Sequence, residues 1–429
     1  MTFCSRCCYA PVHESREELQ QFHAFTEQDH EDRPGIIGAT MNFAERMSRL
    51  GTESAFEVLA RAKALERQGR EIIHLEIGEP DFDTPKHIRE AAKQALDDGA
   101  THYGPSAGLP ELREAVAKDV GATRNIPVAP EEIVVTPGAK PIMYFVITAL
   151  VNPGDEVIYP NPGFPIYESV INFVGGVPVP IPLREESDFG FDMAAFEKAV
   201  STKTKLIIIN SPQNPTGGVL GLDQLGRIAE MATHYKIPVL TDEIYKAFLY
   251  EGEFVSITRF PGMRDLAIVL DGFSKSYAMT GWRMGYGVMP ISLAEHVTRL
   301  MVNSNSCTAS FTQWAGIAAL QGDQMPVRQM VGEFKRRRDL IVSGLNALPG
   351  VTCRTPKGAF YVFPNIKALK RPSSEVAEAI LKEGGVAVLG GTAFGQYGEG
   401  YLRLSYANSE ANIRKALDWM RPVLSRFAG

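Results

Sequence analysis

The chain has 429 residues, of which 45% are hydrophobic and 22% charged, and a formal net charge of −6. That length exceeds one small core and predicts two domains, while the negative balance argues against a broad nucleic-acid-binding surface. No apolar stretch approaches the ~18 residues of a membrane span, so no membrane partner is expected and the chain reads as cytoplasmic.

Residues 1–40 are polar, acidic in "TEQDHED", and lack the apolar core of a signal peptide. Cys4, Cys7 and Cys8 crowd into "CSRCCY". With His13 nearby, Cys4 and Cys7 have the spacing of half a zinc site, but no second pair follows at suitable spacing. No metal is expected. The segment reads as a disordered N-terminal extension, with Met41 as an alternative start. Cys307 and Cys353 stand isolated in the body, a usage suited to a reducing compartment.

From about residue 50 the pattern becomes regular. "SAFEVLARAKALERQG" (54–69) places apolar residues at helical spacing and closes on glycine, and "KHIREAAKQALDDG" (86–99) repeats the design. Short β-rich runs follow: "EEIVVT", "DEVIYP", "VPVPI", "KLIIIN", "IPVLTDE", "LAIVLDGF" and "GYGVM". Most are separated by helical stretches such as "PIMYFVITALV" and "LDQLGRIAEMATHY". This alternation predicts an α/β architecture, a large domain with a mainly parallel central sheet between helices.

After residue 325 the texture changes. A long charged helix containing "EFKRRRDLIVSGLNAL" leads into "GAFYVF", "GVAVLG" and "YLRLSYA", and a helix closes the chain. This predicts a smaller α+β domain over 326–429, with 81–325 as the large domain. Residues 41–80 read as an N-terminal arm that also contributes to the small domain. The basic cluster "KRRRD" reads as a solvated helix face.

Open α/β sheets bind ligands outside the carboxyl ends of their strands, and the reactive residue types collect there. "TPGAKP" (136–141) places glycine and proline at a helix start, where free backbone N–H groups favour an anion. "KLIIIN" is followed by "SPQNPTGG", which carries Asn214. "IPVL" leads to "TDEIY", with Asp242 and Tyr245, and "LAIVLDGF" to "SKSYAMTGWR", with Lys275 and Arg283. Arg403 lies far away in "YLRLSYA". Singly, each has an ordinary structural role: a cap, a core aromatic, a loop lysine, a salt-bridged arginine. Together they are the inventory needed to hold pyridoxal phosphate and an amino acid.

The chain resembles the fold-type I, class I/II aminotransferases, and is similar to the bacterial aspartate aminotransferase group. The resemblance rests on "GEPDFDTP", "HYGPSAGLPELREA", "NPGDEVIYPNPGFPIY", "NSPQNPTGG", "TDEIY", "GFSKSYAMTGWRMGY", "GAFYVF" and "YLRLSYA", in the family's order over about residues 42–425. It implies a ping-pong transaminase moving an amino group between an L-amino acid and a 2-oxo acid through pyridoxal 5'-phosphate. Lys275 is implied as the Schiff-base lysine and proton carrier, a role that requires an amine able to become neutral. Asp242 is implied to pair with the pyridine nitrogen, and Tyr245 and Asn214 to donate to the ring oxygen. The phosphate is implied to take backbone N–H groups of Gly138 and Ala139, with Ser274 and Arg283. Tyr103 resembles the tyrosine that reaches the neighbouring subunit's phosphate, implying a homodimer. Arg403 is implied to clamp the substrate α-carboxylate, near Gly78.

Two positions depart from the family pattern. Phe164 stands where tryptophan usually stacks on the cofactor ring, and "LGGTAFG" has Gly390 where many relatives have proline, which should loosen that loop. Lys140 occupies a position where some relatives read a substrate's distal carboxylate. Aspartate-like donors with 2-oxoglutarate as acceptor are therefore the first expectation. Phe56, Phe164 and Tyr167 leave an aromatic or neutral donor as the alternative. A lyase of the same fold shares these motifs. A transcription regulator would need a DNA-binding module, for which residues 1–40 show no helix-turn-helix pattern.

Overall fold

The apolar runs between residues 133 and 288 become the strands of one eight-stranded sheet. The computed structural model describes residues 41–428, and the extension with Cys4, Cys7 and Cys8 lies outside the described residues. β1 (Ile73–His74) stands apart from the large sheet. That sheet contains β2 (Ile133–Thr136), β3 (Glu156–Asn161), β4 (Val177–Arg184), β5 (Gly190–Phe191) and β6 (Thr204–Asn210). It also contains β7 (Val239–Asp242), β8 (Ala267–Gly272) and β9 (Gly285–Val288). The order is β2-β9-β8-β7-β6-β3-β4-β5. The strands from β8 to β4 run parallel, and antiparallel pairings occur only at the two margins.

Successive side chains of a strand face opposite sides, so a strand covered on both faces needs an unbroken apolar run. β6 shows this directly. Leu206 and Ile208 pack with Val157, Leu240 and Ile268, whereas Ile207 and Ile209 pack with Ile158 and Val239 on the other side. The helices Lys140–Leu150, Ile166–Phe173 and Leu222–Tyr235 connect successive strands and supply Val146, Ile171 and Ile228 to these layers.

Register then sets the working edge. Asn210 aligns with Asp242, and Asp242 with Leu270, so the carboxyl ends of β6, β7 and β8 are level. Antiparallel β9 begins at the same edge, where Gly285 pairs with Gly272 on one side and Thr136 on the other. A Cβ on Gly285 would lie 2.5 Å from the Ala139 amide nitrogen. This crossing therefore requires glycine, and it brings the 138–139 turn close to the strand ends.

Beyond residue 325 come β10 (Tyr361–Val362), β11 (Val386–Ala387), β12 (Leu389–Gly390) and β13 (Leu402–Ser405). β10, β13 and β12 form a small antiparallel sheet, and β11 pairs in parallel with β1. Two local expectations are corrected. The "KRRRD" cluster is not a solvated face throughout: Lys335 and Arg336 are exposed, but Arg337 and Arg338 are buried. Arg337 bridges Asp81 at 2.7 Å and lies over the rings of Phe82 and Phe334, and Arg338 lies over Tyr250. Their apolar stems and paired heads fill a seam that sequence charge alone does not reveal. Gly390 does not loosen a loop, because β12 pairs it with Leu402 and its Cβ position is 3.1 Å from the Ser373 backbone. Among the described residues no helix is long and apolar enough to cross a membrane.

Candidate active site

The level strand ends border a cavity of about 510 Å3, lined by residues from most of the segments that carry a motif, "HYGPSAGLPELREA" being the exception. β7 delivers Asp242, which is buried. Its Oδ2 accepts from the Tyr167 hydroxyl at 2.6 Å and its Oδ1 from the Ile244 N–H at 3.2 Å. Burial pushes the Asp242 carboxyl up to about 6, and these two donors only partly offset it. Tyr167 was legible in sequence as a possible pocket aromatic, but not as the partner of Asp242. A buried phenol needs an acceptor, and the nearest strand-end carboxylate supplies it.

Asn214 is placed by a loop that is hydrogen-bonded along its length. Asn210 Oδ1 accepts from the Asn214 N–H at 3.0 Å, while Asn210 Nδ2 donates to the Asp242 carbonyl at 3.0 Å. Gln213 Nε2 donates to the Pro162 carbonyl at 2.7 Å. Asn210 builds the site, and as the last residue of an apolar run it carries no signal of that role in the sequence. The amide oxygen of Asn214 accepts from Arg403 Nη1 at 3.4 Å.

Lys275 follows β8 and donates from Nζ to the Gly78 carbonyl at 2.6 Å. Its amine is lowered to about 8, first by burial and then by the charges of Arg283 and Arg403, against opposing pulls from Glu79 and Glu53. A sizeable neutral fraction near physiological pH follows. Ser274 lines the same wall. Arg283 enters from the solvent side, donates to the Thr280 carbonyl at 2.8 Å, and lies against Gly138. Gly138 has φ +87°, and a Cβ there would be 2.3 Å from Arg283 Nη2. Gly138 and Ala139 open the helix Lys140–Leu150, whose first N–H groups have no intrahelical carbonyls to pair with. A helix start beside a guanidinium is an anion cradle.

Arg403 comes from β13 and is buried. Nη2 donates to the Glu76 carbonyl, Nε has no partner among the described residues, and the guanidinium lies 4.7 Å over the Tyr361 ring and 5.0 Å over Phe394. Burial lowers its pKa, and an unpartnered donor on a cavity wall is suited to an incoming carboxylate. Tyr245 and Tyr361 face each other with hydroxyls 2.8 Å apart. Phe164 lines the cavity beside Tyr167, and Lys140 lies 5.4 Å over its ring while ion-pairing with Glu53. Neither Tyr361 nor Glu53 was singled out in sequence, although "GAFYVF" carried the first.

Behind the cavity, fully buried Arg124 bridges Glu243 at 2.8 Å and Asp271 at 2.7 Å, tying the ends of β7 and β8 together. Gly138 is not itself on the cavity wall but adjoins Ala139, which is, whereas Tyr103 is not brought to the cavity at all. It is 89% exposed and lines a separate surface hollow with His102, Cys307 and Phe311.

Residues 70–419 match the family model for aminotransferase class I and II. The chain belongs to that family. It is 43% identical to an aspartate aminotransferase of Pyrococcus abyssi, over 83% of this chain and 92% of that relative. An aromatic-amino-acid aminotransferase of Thermococcus litoralis is 42% identical, over 82% of this chain and 92% of the relative. Among solved structures, the aspartate aminotransferase from Thermus thermophilus with maleate has TM-score 0.85 and 38% identity, covering 90% of this chain and 100% of that one. The α/β fold with its mainly parallel sheet is thus that of the class I and II aminotransferases, and the protein is an aminotransferase.

Proposed function

We propose that this aminotransferase uses pyridoxal 5'-phosphate to move the amino group of an aspartate-like L-amino acid to a 2-oxo acid such as 2-oxoglutarate. The carrying observation is the convergence of an easily neutralised lysine, a protonatable buried carboxyl and an under-partnered buried arginine on one cavity. When bound, the cofactor supplies an aldehyde for amines and a cationic pyridine ring that withdraws electrons from substrate Cα.

The chain's own groups fit that cofactor. Asp242, destabilised as an anion while nothing cationic faces it, would be relieved by a pyridinium N–H and would hold that proton in place. Tyr245 and the Asn214 amide would donate to the ring oxygen. Gly138 and Ala139 N–H groups, Ser274 and Arg283 would hold the phosphate. Phe164 would stack on the ring, with no indole N–H to offer. The neutral Lys275 amine would anchor the cofactor, then take the proton from substrate Cα and return it on the cofactor side. Arg403, with the Gly78 backbone nearby, would clamp the α-carboxylate and orient Cα. Tyr103, unused by its own cavity, would complete the phosphate site of a second copy in a cytoplasmic homodimer. The strand-end region 81–325 would act as the cofactor-binding domain, with 326–429 and part of 41–80 as the smaller one.

Lys140 on the cavity wall supports an acidic side chain, as do the aspartate aminotransferase relatives and the dicarboxylate maleate in the Thermus thermophilus structure. A second reading, an aromatic donor, is favoured by the Phe56 and Phe164 rings beside a Lys140 already paired with Glu53. Half-reactions with single amino donors test the proposal. Aspartate should convert the bound cofactor to its amine form faster than phenylalanine does, and failure to convert it with any amino donor would overturn the reading.

A further inference from the structure

Tyr361 is fully buried, yet its hydroxyl sits among the working groups. Its one hydrogen-bond partner among the described residues is the Tyr245 hydroxyl at 2.8 Å, and the two rings meet edge-on at 5.6 Å. β10 holds it beside β13, so the Arg403 guanidinium covers its ring at 4.7 Å. On the other side the chain has been cleared for it: a Cβ on Gly78 would lie 2.0 Å from the Tyr361 hydroxyl oxygen. The charged groups facing the two phenols are Arg403, Asp242 and Glu53.

Two hydroxyls bonded to each other have only two protons, and one lies between them. If Tyr245 spends its proton on Tyr361, it has none for a ligand. If Tyr361 donates to Tyr245, the Tyr245 proton is free to point into the cavity. A cation over the ring face of Tyr361 makes it the better donor of the two, because positive charge favours release of the phenol proton. Chained donors polarise one another, so a Tyr245 that accepts from Tyr361 is also a stronger donor.

We propose that Tyr361 is a positioning residue for Tyr245: it donates into Tyr245 and so turns the Tyr245 proton toward the ring oxygen of the cofactor. This rests on the proposed placement of Tyr245 against that oxygen. Tyr361 also lines the cavity, but in this role it acts through the second phenol.

The test is the pH titration of the bound cofactor's absorbance in the holoenzymes of wild type, Tyr361→Phe, Tyr245→Phe and the double variant. A Tyr245→Phe holoenzyme should titrate higher, because the anionic ring oxygen loses a direct donor. Tyr361→Phe should also raise the midpoint by roughly 0.2–0.6 pH units, a 1.5- to 4-fold change, as the polarising bond is lost. In the Tyr245→Phe background, Tyr361→Phe should have no further effect. The fraction of cofactor bound at limiting concentration supplies a second readout and should fall in Tyr361→Phe. If Tyr245→Phe shifts the titration and Tyr361→Phe does not, the relay is wrong while the site stands. If Tyr245→Phe itself causes no shift, the placement of Tyr245 is wrong and the relay falls with it.

Discussion

Replacing Asp242 with asparagine should stabilise the cofactor-free protein while weakening its hold on the cofactor. The Asp242 carboxyl is raised from 3.8 to about 6 by burial, a shift of about two units, or about 3 kcal/mol. Between pH 4 and 6 the folded chain therefore keeps a proton that the unfolded chain has released. Its stability falls as pH rises through that window and levels off above about 6. Asparagine cannot ionise and escapes this cost. An amide oxygen still accepts from Tyr167, although more weakly than a carboxylate, but the amide NH2 cannot accept from the Ile244 N–H, so about 3 kcal/mol is an upper bound. Urea unfolding of both cofactor-free proteins at pH 4.5 and 7.5 measures the effect. The Asp242→Asn gain should be small at pH 4.5 and reach 1–3 kcal/mol, roughly, at pH 7.5. Pyridoxal phosphate should reverse the ranking, because only the carboxylate offsets a pyridinium. If Asp242→Asn shows the same stability difference at both pH values, Asp242 is not held as a strained carboxyl and the reasoning fails.

Lys275 should be a fast-reacting lysine in the cofactor-free protein. Its reductive alkylation should rise through pH 8, and labelling that rises only around pH 10, where a free lysine amine loses its proton, would contradict its lowered pKa. Arg403→Gln should raise KM for amino donors on the order of 100-fold, the loss of a buried charge-assisted clamp. Cofactor affinity should be nearly unchanged, and an unaltered KM would remove Arg403 from the substrate site.

The parallel sheet was legible because β6 and its neighbours are buried on both faces, which forces apolar runs too long for an alternating strand. The candidate site was legible where chemistry sits at strand ends, since Asn214, Asp242 and Lys275 lie at or just beyond the ends of β6, β7 and β8; Arg403, 189 positions from Asn214, joins the same cavity from within β13. What sequence did not disclose was partnership. Tyr167 and Tyr361 look like core aromatics until their hydroxyls are seen against Asp242 and Tyr245. Arg337 and Arg338 look solvated because their seam is made by residues near 81 and 250, far away in the chain. Glu53 gives no signal of its own, and only the folded N-terminal helix brings it to Lys140. Periodicity reports which face is buried; it does not report which polar group waits on the other side.

The most direct test of the account is one complete exchange on the purified protein. Loaded with pyridoxal phosphate and mixed with excess aspartate alone, the enzyme should convert its cofactor stoichiometrically to the amine form and release oxaloacetate. Adding 2-oxoglutarate should restore the aldehyde form and yield glutamate, and the Lys275→Ala variant should do neither at a comparable rate. No amine form of the cofactor with aspartate, together with release of pyruvate and ammonia from serine, whose β-hydroxyl can leave, would contradict transamination and mark the chain as a lyase on the same fold.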